Sequence, residues 1–310
     1  MNSVAKIEAT TVEPARRRRT EGVEGSARKA AVPASRRGGL YERYGPTALV
    51  TGASEGIGRA FAQALARDGF ELVLVSRNEG RLRTLASELE AEFGATVHVL
   101  PYDLAVPGAS RALVEATDGR AIGLVVAAAG FGSVGAFLEK PIGEESAMVD
   151  LNCRSVVELA HGFGERMVGA GRGGIVLFGS LVGFSGAPRS ATYAATKGFV
   201  QSFAEGLAAE LRPHGVDVLS VAPGPVESGF AARAGMRLAF SQTPATVAAG
   251  ALAAIGRTTT VRPGALSKML GWSLGMLPRR GRVRVLGELM KGMTAVAPRP
   301  GPGLPDRRGS

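Results

Sequence analysis

The stretch Thr51-Gly52-Ala53-Ser54-Glu55-Gly56-Ile57-Gly58 decides the fold of this 310-residue chain. An apolar run at residues 47–50 precedes it, and a helical pattern begins at Ile57. Glycines in a turn between a strand and a helix let the backbone approach a ligand, and the free N–H groups of the helix N-terminus favour an anion. Glycine clusters also form ordinary turns. Between a strand and a helix, however, this turn predicts a site for the phosphates of a nucleotide cofactor.

Short apolar segments alternate with longer helical patterns along the rest of the chain. Buried parallel strands covered by helices on both faces have this pattern. It predicts an α/β fold, a doubly wound parallel sheet in a single domain. The predicted strands are Thr47–Thr51, Glu71–Ser76, Thr96–Leu100, Gly123–Ala127, Gly174–Gly179 and Val216–Val221, with a further one at Thr258–Val261. The helical patterns include Arg81–Phe93, Glu144–Gly169 and Ala191–Arg212.

Four parts are predicted along the chain. Residues 1–43 form a disordered basic segment, 44–262 the catalytic domain, 263–296 an amphipathic helical extension and 297–310 a disordered tail. The first part has little periodicity, and no apolar core of a signal peptide follows its run of four arginines. No apolar run is long enough to span a membrane. We therefore expect a cytoplasmic protein.

The net charge of +10 is concentrated at the ends of the chain. Residues 1–45 hold ten Lys/Arg and five Asp/Glu, and residues 256–310 hold eleven and two. The middle holds sixteen and twenty, so the body is mildly acidic, which argues against a nucleic-acid-binding fold. The single cysteine, Cys153, excludes a disulfide framework and suits a reducing compartment. The three histidines lack metal-ligand spacing, so no metal site is predicted.

Arg77 follows the second predicted strand, where such folds reach the ribose of the adenosine. An acidic residue there accepts a hydrogen bond from the 2′-hydroxyl of NAD, whereas an arginine can pair with the 2′-phosphate of NADP. Arg77 therefore favours NADP. Glu55 works in the opposite direction, and a solvated arginine at the end of a strand is the simpler alternative.

Tyr193 and Lys197 lie four residues apart, and so on one face of a predicted helix. A tyrosine can donate a proton to a carbonyl oxygen that becomes an alcohol, and a neighbouring ammonium lowers its pKa. Such a pair is common on solvated helices. The pair indicates a catalytic site only together with Ser180. This residue ends a predicted strand thirteen residues upstream and could hydrogen-bond the substrate carbonyl.

The ordered set of motifs resembles the short-chain dehydrogenase/reductase family. The resemblance covers about Pro46 to Val261 and implies a Rossmann fold. It is carried by TGASEGIG at 51–58, Asp103-Leu104, Asn152, Ser180, YAATK at 193–197 and PGPVES at 223–228. Members are commonly oligomers, which implies a homodimer or homotetramer formed through the helices near 144–169 and 191–212.

The resemblance also implies roles for single residues. Tyr193 would be the catalytic acid/base, Ser180 would polarise the carbonyl, and Asn152 would position a water in a proton relay to Lys197. Lys197 would also bind the nicotinamide ribose and lower the pKa of Tyr193. The NADP(H) site would comprise Gly52, Ser54, Gly56, Ile57, Gly58, Arg77, Asp103, Leu104, Ala129, Gly130, Tyr193, Lys197, Pro223, Gly224, Val226 and Ser228. Simpler alternatives are a helix cap for Asp103, a helix kink for Asn152 and a loop hydroxyl for Ser228.

One stretch departs from the family pattern. Where members usually have Asn-Asn-Ala-Gly after the fourth strand, this chain has Ala127-Ala128-Ala129-Gly130. The missing amides would loosen the adenine-side wall unless waters replace them. The acid/base residues are unaffected.

Substrate pockets in this fold form beyond the carboxyl ends of the strands. The expected walls are the segments 131–137, 181–189 and 230–240, which are largely apolar, with Arg189, Arg233 and Arg237 as their charges. They favour an apolar ketone or aldehyde. The following segment is apolar at 265–277 and basic and amphipathic at 278–290. It could lie on an anionic membrane, on a partner subunit or over the substrate cleft. This extension resembles the fatty-acyl and hydroxysteroid branches of the family.

Two functions of different classes follow. The first is an NADP-dependent carbonyl reductase or alcohol dehydrogenase, in which hydride moves between nicotinamide and carbonyl carbon while Tyr193 transfers the proton. The alternative is a non-catalytic nucleotide-sensing scaffold whose basic tails bind a partner or a membrane surface. A sensor has no need of Asn152, Ser180, Tyr193 and Lys197 together, which favours the enzyme.

Overall fold

The computed structural model describes residues 38–227 and 241–294. Its centre is a seven-stranded, fully parallel sheet in the order β3-β2-β1-β4-β5-β6-β7. The strands are β1 Thr47–Thr51, β2 Glu71–Ser76, β3 Val97–Pro101, β4 Ile122–Ala127, β5 Gly173–Phe178, β6 Val216–Val221 and β7 Thr260–Val261. The order reverses between β1 and β4, and such a switch point opens a crevice at the carboxyl ends of the strands.

Helices cover both faces of this sheet. They are α1 Gly39–Tyr44, α2 Gly56–Arg67, α3 Glu79–Phe93, α4 Ala109–Ala116, α5 Ile142–Val149, α6 Ser155–Ala170, α7 Ala191–Leu211, α8 Pro244–Ala254, α9 Gly264–Met276 and α10 Arg279–Thr294. A π-helical turn, Asp150–Arg154, joins α5 to α6, so the single helical pattern expected near 144–169 is interrupted. Phe61 and Leu85 pack in the core on one face, and Leu113, Phe163 and Val200 pack on the other. The prediction of a doubly wound α/β domain is confirmed.

The ordered chain begins earlier than the sequence predicted. Tyr44, at the end of α1, is buried, and its hydroxyl donates to Asp217 Oδ2 at 2.8 Å. Arg43 pairs with the same carboxylate at 2.7 Å. The prediction of disorder through residue 43 is therefore wrong for 39–43, because one aromatic side chain and one ion pair tie this turn to β6. Residues 1–37 lie outside the described part of the chain, as does the predicted tail at 297–310.

Candidate active site

The turn after β1 has the shape that the glycine pattern predicts. Gly52 and Gly56 adopt positive φ angles of 65° and 56°. A Cβ on Gly52 would lie 2.9 Å from the Ala128 carbonyl oxygen, and one on Gly58 would collide with the Gly52 carbonyl oxygen. The side chain of Glu55, at the N-cap of α2, does not cap the helix, so the first N–H groups of α2 are open to an anion. Ser54 and Ile57 are half-buried in the same turn, which fits a pyrophosphate.

Arg77 stands at the far end of the crevice, directly after β2. Its side chain is 74% exposed, and Nη1 lies 3.7 Å from Asp103 Oδ2. Arg81, in the first turn of α3, faces Glu55 at 3.4 Å. The four charges thus meet at the predicted adenosine position. Because Arg81 engages Glu55, the acidic side chain that opposed the choice of NADP is partly neutralised.

Asp103 lies in the loop after β3 and does not cap the following helix. Its Oδ1 accepts from Ala105 N–H at 3.1 Å, and α4 begins only at Ala109. Leu104 is buried beneath it. The capping alternative is therefore wrong, and the second carboxylate oxygen faces Arg77.

The wall that lacks the family's asparagines is tied to the sheet by another residue. Thr51 Oγ1, at the end of β1, accepts from Ala129 N–H at 3.0 Å. Ala128 N–H donates to Val126 O at 3.0 Å. The threonine hydroxyl thus supplies a direct tie at the place where the sequence predicted a loosened wall.

Asn152 links three parts of the site from the π-helical turn. It is buried, with Oδ1 accepting from Phe131 N–H at 3.1 Å and Nδ2 donating to Phe131 O at 2.9 Å and Thr196 Oγ1 at 3.1 Å. A Cβ on Gly130 would lie 2.9 Å from Asn152 Oδ1 and 3.6 Å from Lys197 Nζ. Asn152 therefore holds the wall after β4 against the helix of Tyr193, a larger structural role than a kink.

Ser180 reaches Tyr193 because two glycines allow close packing. A Cβ on Gly183 would lie 2.7 Å from the carbonyl carbon of Lys197, and one on Gly198 would lie 2.9 Å from Gly183 O. The 3₁₀ turn Leu181–Phe184 therefore rests directly on α7. The result is a hydrogen bond between the side chains of Ser180 and Tyr193.

Lys197 and Tyr193 occupy one face of α7, as predicted. Lys197 Nζ donates to Phe178 O at 2.9 Å and lies 5.6 Å from the centre of the Tyr193 ring. Burial lowers the pKa of Lys197 to about 8. Burial also raises the pKa of Tyr193 to about 12, and the hydrogen bond with Ser180 only partly opposes this. Lys197 does not lower the pKa of Tyr193 here, contrary to the expectation, and desolvation of the phenol sets the direction of the shift.

The loop after β6 is braced by the C-terminal extension. Gly224 N–H donates to Ser267 Oγ in α9 at 2.8 Å, and Gln242 Nε2 donates to the same oxygen at 2.9 Å. Pro223 is buried, and Val226 forms a bridge with Gln242. Sequence reasoning missed Ser267, since no local pattern marks it. Ser228 and the predicted wall at 230–240 lie within residues 228–240, which the structure does not describe.

The substrate side contains charges that sequence reasoning missed. Lys140 Nζ lies 3.8 Å from Glu145 Oε1, and these side chains are only 14% and 7% exposed. Ser133 Oγ donates to the same carboxylate at 3.1 Å. With Arg189, they line a small pocket whose wall includes Tyr193. The pocket is therefore polar on one side, where the sequence predicted apolar walls.

The extension forms two helices with different surroundings. Leu286 and Met290 of α10 are buried, and Leu286 packs on Ala187 and Ala194 beside the active site. The side of α9 that carries Trp272 is exposed, with this residue 70% exposed. Among the helices described, none has the length and apolar character needed to cross a bilayer. The basic helix thus packs on the body, and an uncovered apolar patch remains on α9.

Comparison with known proteins agrees with this geometry. The family model described as short chain dehydrogenase matches residues 46–237. A 7beta-hydroxysteroid dehydrogenase of Collinsella aerofaciens is 32% identical over 179 residues, which cover 58% of this chain and 68% of that protein. A very-long-chain 3-oxoacyl-CoA reductase of Phaeosphaeria nodorum is 34% identical over 183 residues, which cover 57% and 54%.

A solved structure shows the same architecture. It is a short-chain dehydrogenase from Sphingobium yanoikuyae in complex with NADPH, with a TM-score of 0.68, 32% identity and coverage of 76% of this chain and 97% of that one. The hydroxysteroid dehydrogenase and the 3-oxoacyl-CoA reductase among the relatives confirm that the chain resembles these two branches of the family. The chain belongs to the short-chain dehydrogenase family.

Proposed function

We propose that this protein is an NADP(H)-dependent oxidoreductase that interconverts an apolar ketone or aldehyde and its alcohol. One observation carries the proposal: Asn152, Ser180, Tyr193 and Lys197 converge at the carboxyl ends of the central strands, beside the glycine turn. Three separate elements hold them, so three distant stretches of sequence supply one reaction centre: the π-helical turn for Asn152, the segment after β5 for Ser180, and α7 for Tyr193 and Lys197. Family membership makes the oxidoreductase class the expected one.

The side chains divide the work of the reaction. When bound, the nicotinamide supplies or accepts the hydride. Tyr193, with its pKa raised to about 12, keeps its proton at neutral pH and can donate it to the carbonyl oxygen. Ser180 holds that oxygen by its hydroxyl. Lys197, whose pKa is about 8, remains largely protonated at pH 7 and places a positive charge beside the phenol.

We propose NADP(H) as the cofactor because of Arg77. Its guanidinium is exposed at the predicted 2′ position and is engaged only at 3.7 Å by Asp103. Exposed pairs of this kind contribute about 0–1 kcal/mol, whereas charge-assisted hydrogen bonds contribute roughly 1.5–3 kcal/mol each. A 2′-phosphate should therefore displace the carboxylate. The relative from Sphingobium yanoikuyae, solved with NADPH, supports this choice.

Exposed apolar side chains on the surface helices bear on the assembly of the protein. Val149, Val157 and Phe199 are exposed on the helices that the sequence predicted as an interface. Their burial in a homodimer or homotetramer would remove apolar surface from water. We propose such an oligomer, in the cytoplasm. Size-exclusion chromatography with light scattering tests the oligomer, and a monomer at micromolar concentration would contradict it.

The experiment that tests the function is a panel of ketones, aldehydes and alcohols followed by NADPH absorbance. We expect turnover of bulky apolar carbonyl compounds or of the corresponding alcohols, since one relative is named for a hydroxysteroid. Cofactor binding without turnover of any member would instead favour the nucleotide-sensing scaffold. The intact acid/base group argues against the scaffold.

A further inference from the structure

Helix α9 presents large apolar side chains to solvent. On its inner face, Ser267 is buried and hydrogen-bonded to the loop after β6, and Leu274 packs against a buried cluster of α7 and α10 residues. On its outer face, the side chains of Met269, Trp272 and Met276 are 59%, 70% and 67% exposed. A helix at the surface of a globular domain normally turns its large apolar residues inward. An exposed apolar row of this kind marks a contact with a partner or a membrane.

Exposed basic side chains adjoin the outer face of α9. They lie on α9 itself and at the start of α10, and they are Lys268, Arg279, Arg280 and Arg284. The sequence has no Asp or Glu from residue 228 to residue 287, and Glu288, the acidic residue of α10, pairs with Lys291 at 2.8 Å. The surface is therefore apolar along α9 and positively charged beside it, so it fits an anionic partner that accepts apolar side chains.

The charge and the size of this surface favour a lipid bilayer over a protein. In a symmetric dimer, a second copy would bring arginines close to arginines, which costs free energy. Three side chains also provide far less than the roughly 800 Å² that each partner contributes to a stable protein interface. A lipid surface sets no such minimum, and insertion of apolar side chains adds to the attraction between basic side chains and anionic headgroups. Tryptophan favours the headgroup layer, and long arginine side chains reach the lipid phosphates from it.

The contacts of α10 hold this surface beside the active site. Leu286 is buried in one cluster with Ala187, and a Cβ on Gly287 would lie 3.1 Å from Pro188 Cγ. The next residue, Arg189, lines the pocket that includes the catalytic tyrosine. A bilayer in contact with α9 and the start of α10 would thus lie close to the part of the molecule that takes up the substrate.

We infer that the outer face of α9 and the basic start of α10 bind the surface of an anionic lipid bilayer. Met269, Trp272 and Met276 enter the headgroup layer, and Arg279 and Arg280 contact lipid phosphates. The protein lies on the bilayer and does not cross it. The inference goes beyond the proposed function, and its test needs neither cofactor nor carbonyl compound, so either can fail without the other.

The emission of Trp272 tests the inference directly. It is the single tryptophan of the chain, so its fluorescence reports on the outer face of α9. The probes are vesicles of phosphatidylglycerol and phosphatidylcholine in equal parts, and vesicles of phosphatidylcholine alone, added to the full-length protein. We expect a blue shift with the mixed vesicles that high salt reverses, and none with phosphatidylcholine alone.

Three results of this titration would overturn the inference. The first is an unchanged emission with the mixed vesicles. The second is an equal shift with both kinds of vesicle, which would exclude a role for the basic side chains. The third is protein that sediments with the mixed vesicles while its emission stays unchanged, because the run of four arginines near the N-terminus would then bind the lipid instead.

A matched pair of double variants tests the basic side chains. Arg279→Gln with Arg280→Gln should weaken binding to the mixed vesicles at least about tenfold, since each basic residue near an anionic surface contributes about 1 kcal/mol. Arg83→Gln with Arg111→Gln removes the same charge from exposed positions on α3 and α4 and is the control, which should bind nearly as well as the unmodified protein. An equal loss in both double variants would mean that only net charge matters, and would overturn the site.

A third double variant tests the apolar side chains and the competing occupants. Met269→Gln with Met276→Gln keeps the reporter tryptophan and every arginine, so we expect weaker binding and a smaller blue shift with the melting temperature unchanged, because both side chains are exposed. Light scattering of this variant should give the same mass as the unmodified protein. A lower mass would show that a second copy covers the face. Poly-glutamate that bound as tightly as the mixed vesicles and shifted the emission as far would indicate an acidic protein; either result would overturn the inference.

Discussion

The two ends of the predicted cofactor crevice differ in how their side chains are held. At the proton-transfer end, Asn152 is buried with three hydrogen bonds, and Lys197 is buried against a backbone carbonyl. At the adenosine end, Arg77 and Arg81 are 74% and 60% exposed, with partners at 3.7 and 3.4 Å. Hydrogen bonds fix the side chains of the first end, whereas the second end consists of long, exposed arginine side chains in loose ion pairs.

The difference matches the demands of the two ends. Proton transfer needs its donor within hydrogen-bond reach of the substrate, so small displacements reduce the rate strongly. Recognition of a phosphate tolerates movement, because a guanidinium can adjust and still pair. Mutations at the first end should therefore change turnover, and those at the second should change cofactor affinity.

The largest effect should come from Tyr193→Phe. The change removes the proton donor but keeps the ring on which Lys197 lies. We expect kcat to fall at least about 10²-fold, the usual scale of general acid catalysis, with NADPH affinity nearly unchanged. Steady-state kinetics and calorimetry measure the two quantities. Turnover close to that of the unmodified enzyme would refute the assigned mechanism.

Asn152→Ala should disturb the proton-transfer end by removing the hydrogen bonds that hold its backbone in place. It removes three buried hydrogen bonds and leaves the Phe131 backbone unpaired, so we expect a loss of roughly 2–4 kcal/mol in unfolding free energy and about a tenfold lower kcat. Urea unfolding and kinetics check both.

The matched control lies at the other end. Asn78→Ala removes a single cap of α3, the bond from Arg81 N–H at 2.9 Å, and should cost about 1 kcal/mol without lowering kcat. If both variants lowered kcat equally, the two ends would not differ in the way inferred.

Much of this site could be predicted because its residues carry local signatures. The glycine turn, Ser180 and the Tyr193 to Lys197 spacing each belong to a short motif, and alternating strands and helices bring such motifs to one edge of the sheet. The strand and helix patterns followed from burial alone, so β1, β2 and β6 have the predicted bounds.

The rest depends on contacts between distant parts of the chain. Thr196 accepts from Asn152, Ser267 braces Gly224, and Lys140 is buried with Glu145, yet none of these pairs shows a recognisable spacing. The raised pKa of Tyr193 likewise depends on how completely neighbouring elements bury the phenol. A sequence pattern shows which residues are present, but it does not show how far the folded protein removes each side chain from water.

At the adenosine end, Arg77→Asp should change the choice of cofactor. The unmodified enzyme should prefer NADPH over NADH by about tenfold or more in kcat/KM, because a guanidinium gains more from a phosphate than from a hydroxyl. The variant should erase or reverse this preference mainly through KM, with little change in melting temperature, since the side chain is exposed. Equal use of both cofactors by the unmodified enzyme would show that Arg77 points into solvent.

The smallest effect should be a pH dependence of stability that belongs to Lys197 alone. Burial lowers its pKa from 10.5 to about 8, so between these values the unfolded chain binds a proton that the folded protein does not. Stability relative to a Lys197→Met variant should therefore rise with pH across this window and stay constant below it. Burial raises the pKa of Cys153, a half-buried thiol nearby, to about 11, so this thiol is protonated in the folded protein over most of the window.

Urea unfolding of both proteins from about pH 7 to about pH 10.5 measures this difference. Arg77→Gln serves as the control from the adenosine end, because this side chain is 74% exposed and its curve should run parallel to that of the unmodified enzyme. Parallel curves for Lys197→Met as well would mean that Lys197 keeps its proton when folded. The proton-transfer end would then be as well solvated as the adenosine end, contrary to the burial on which the contrast rests.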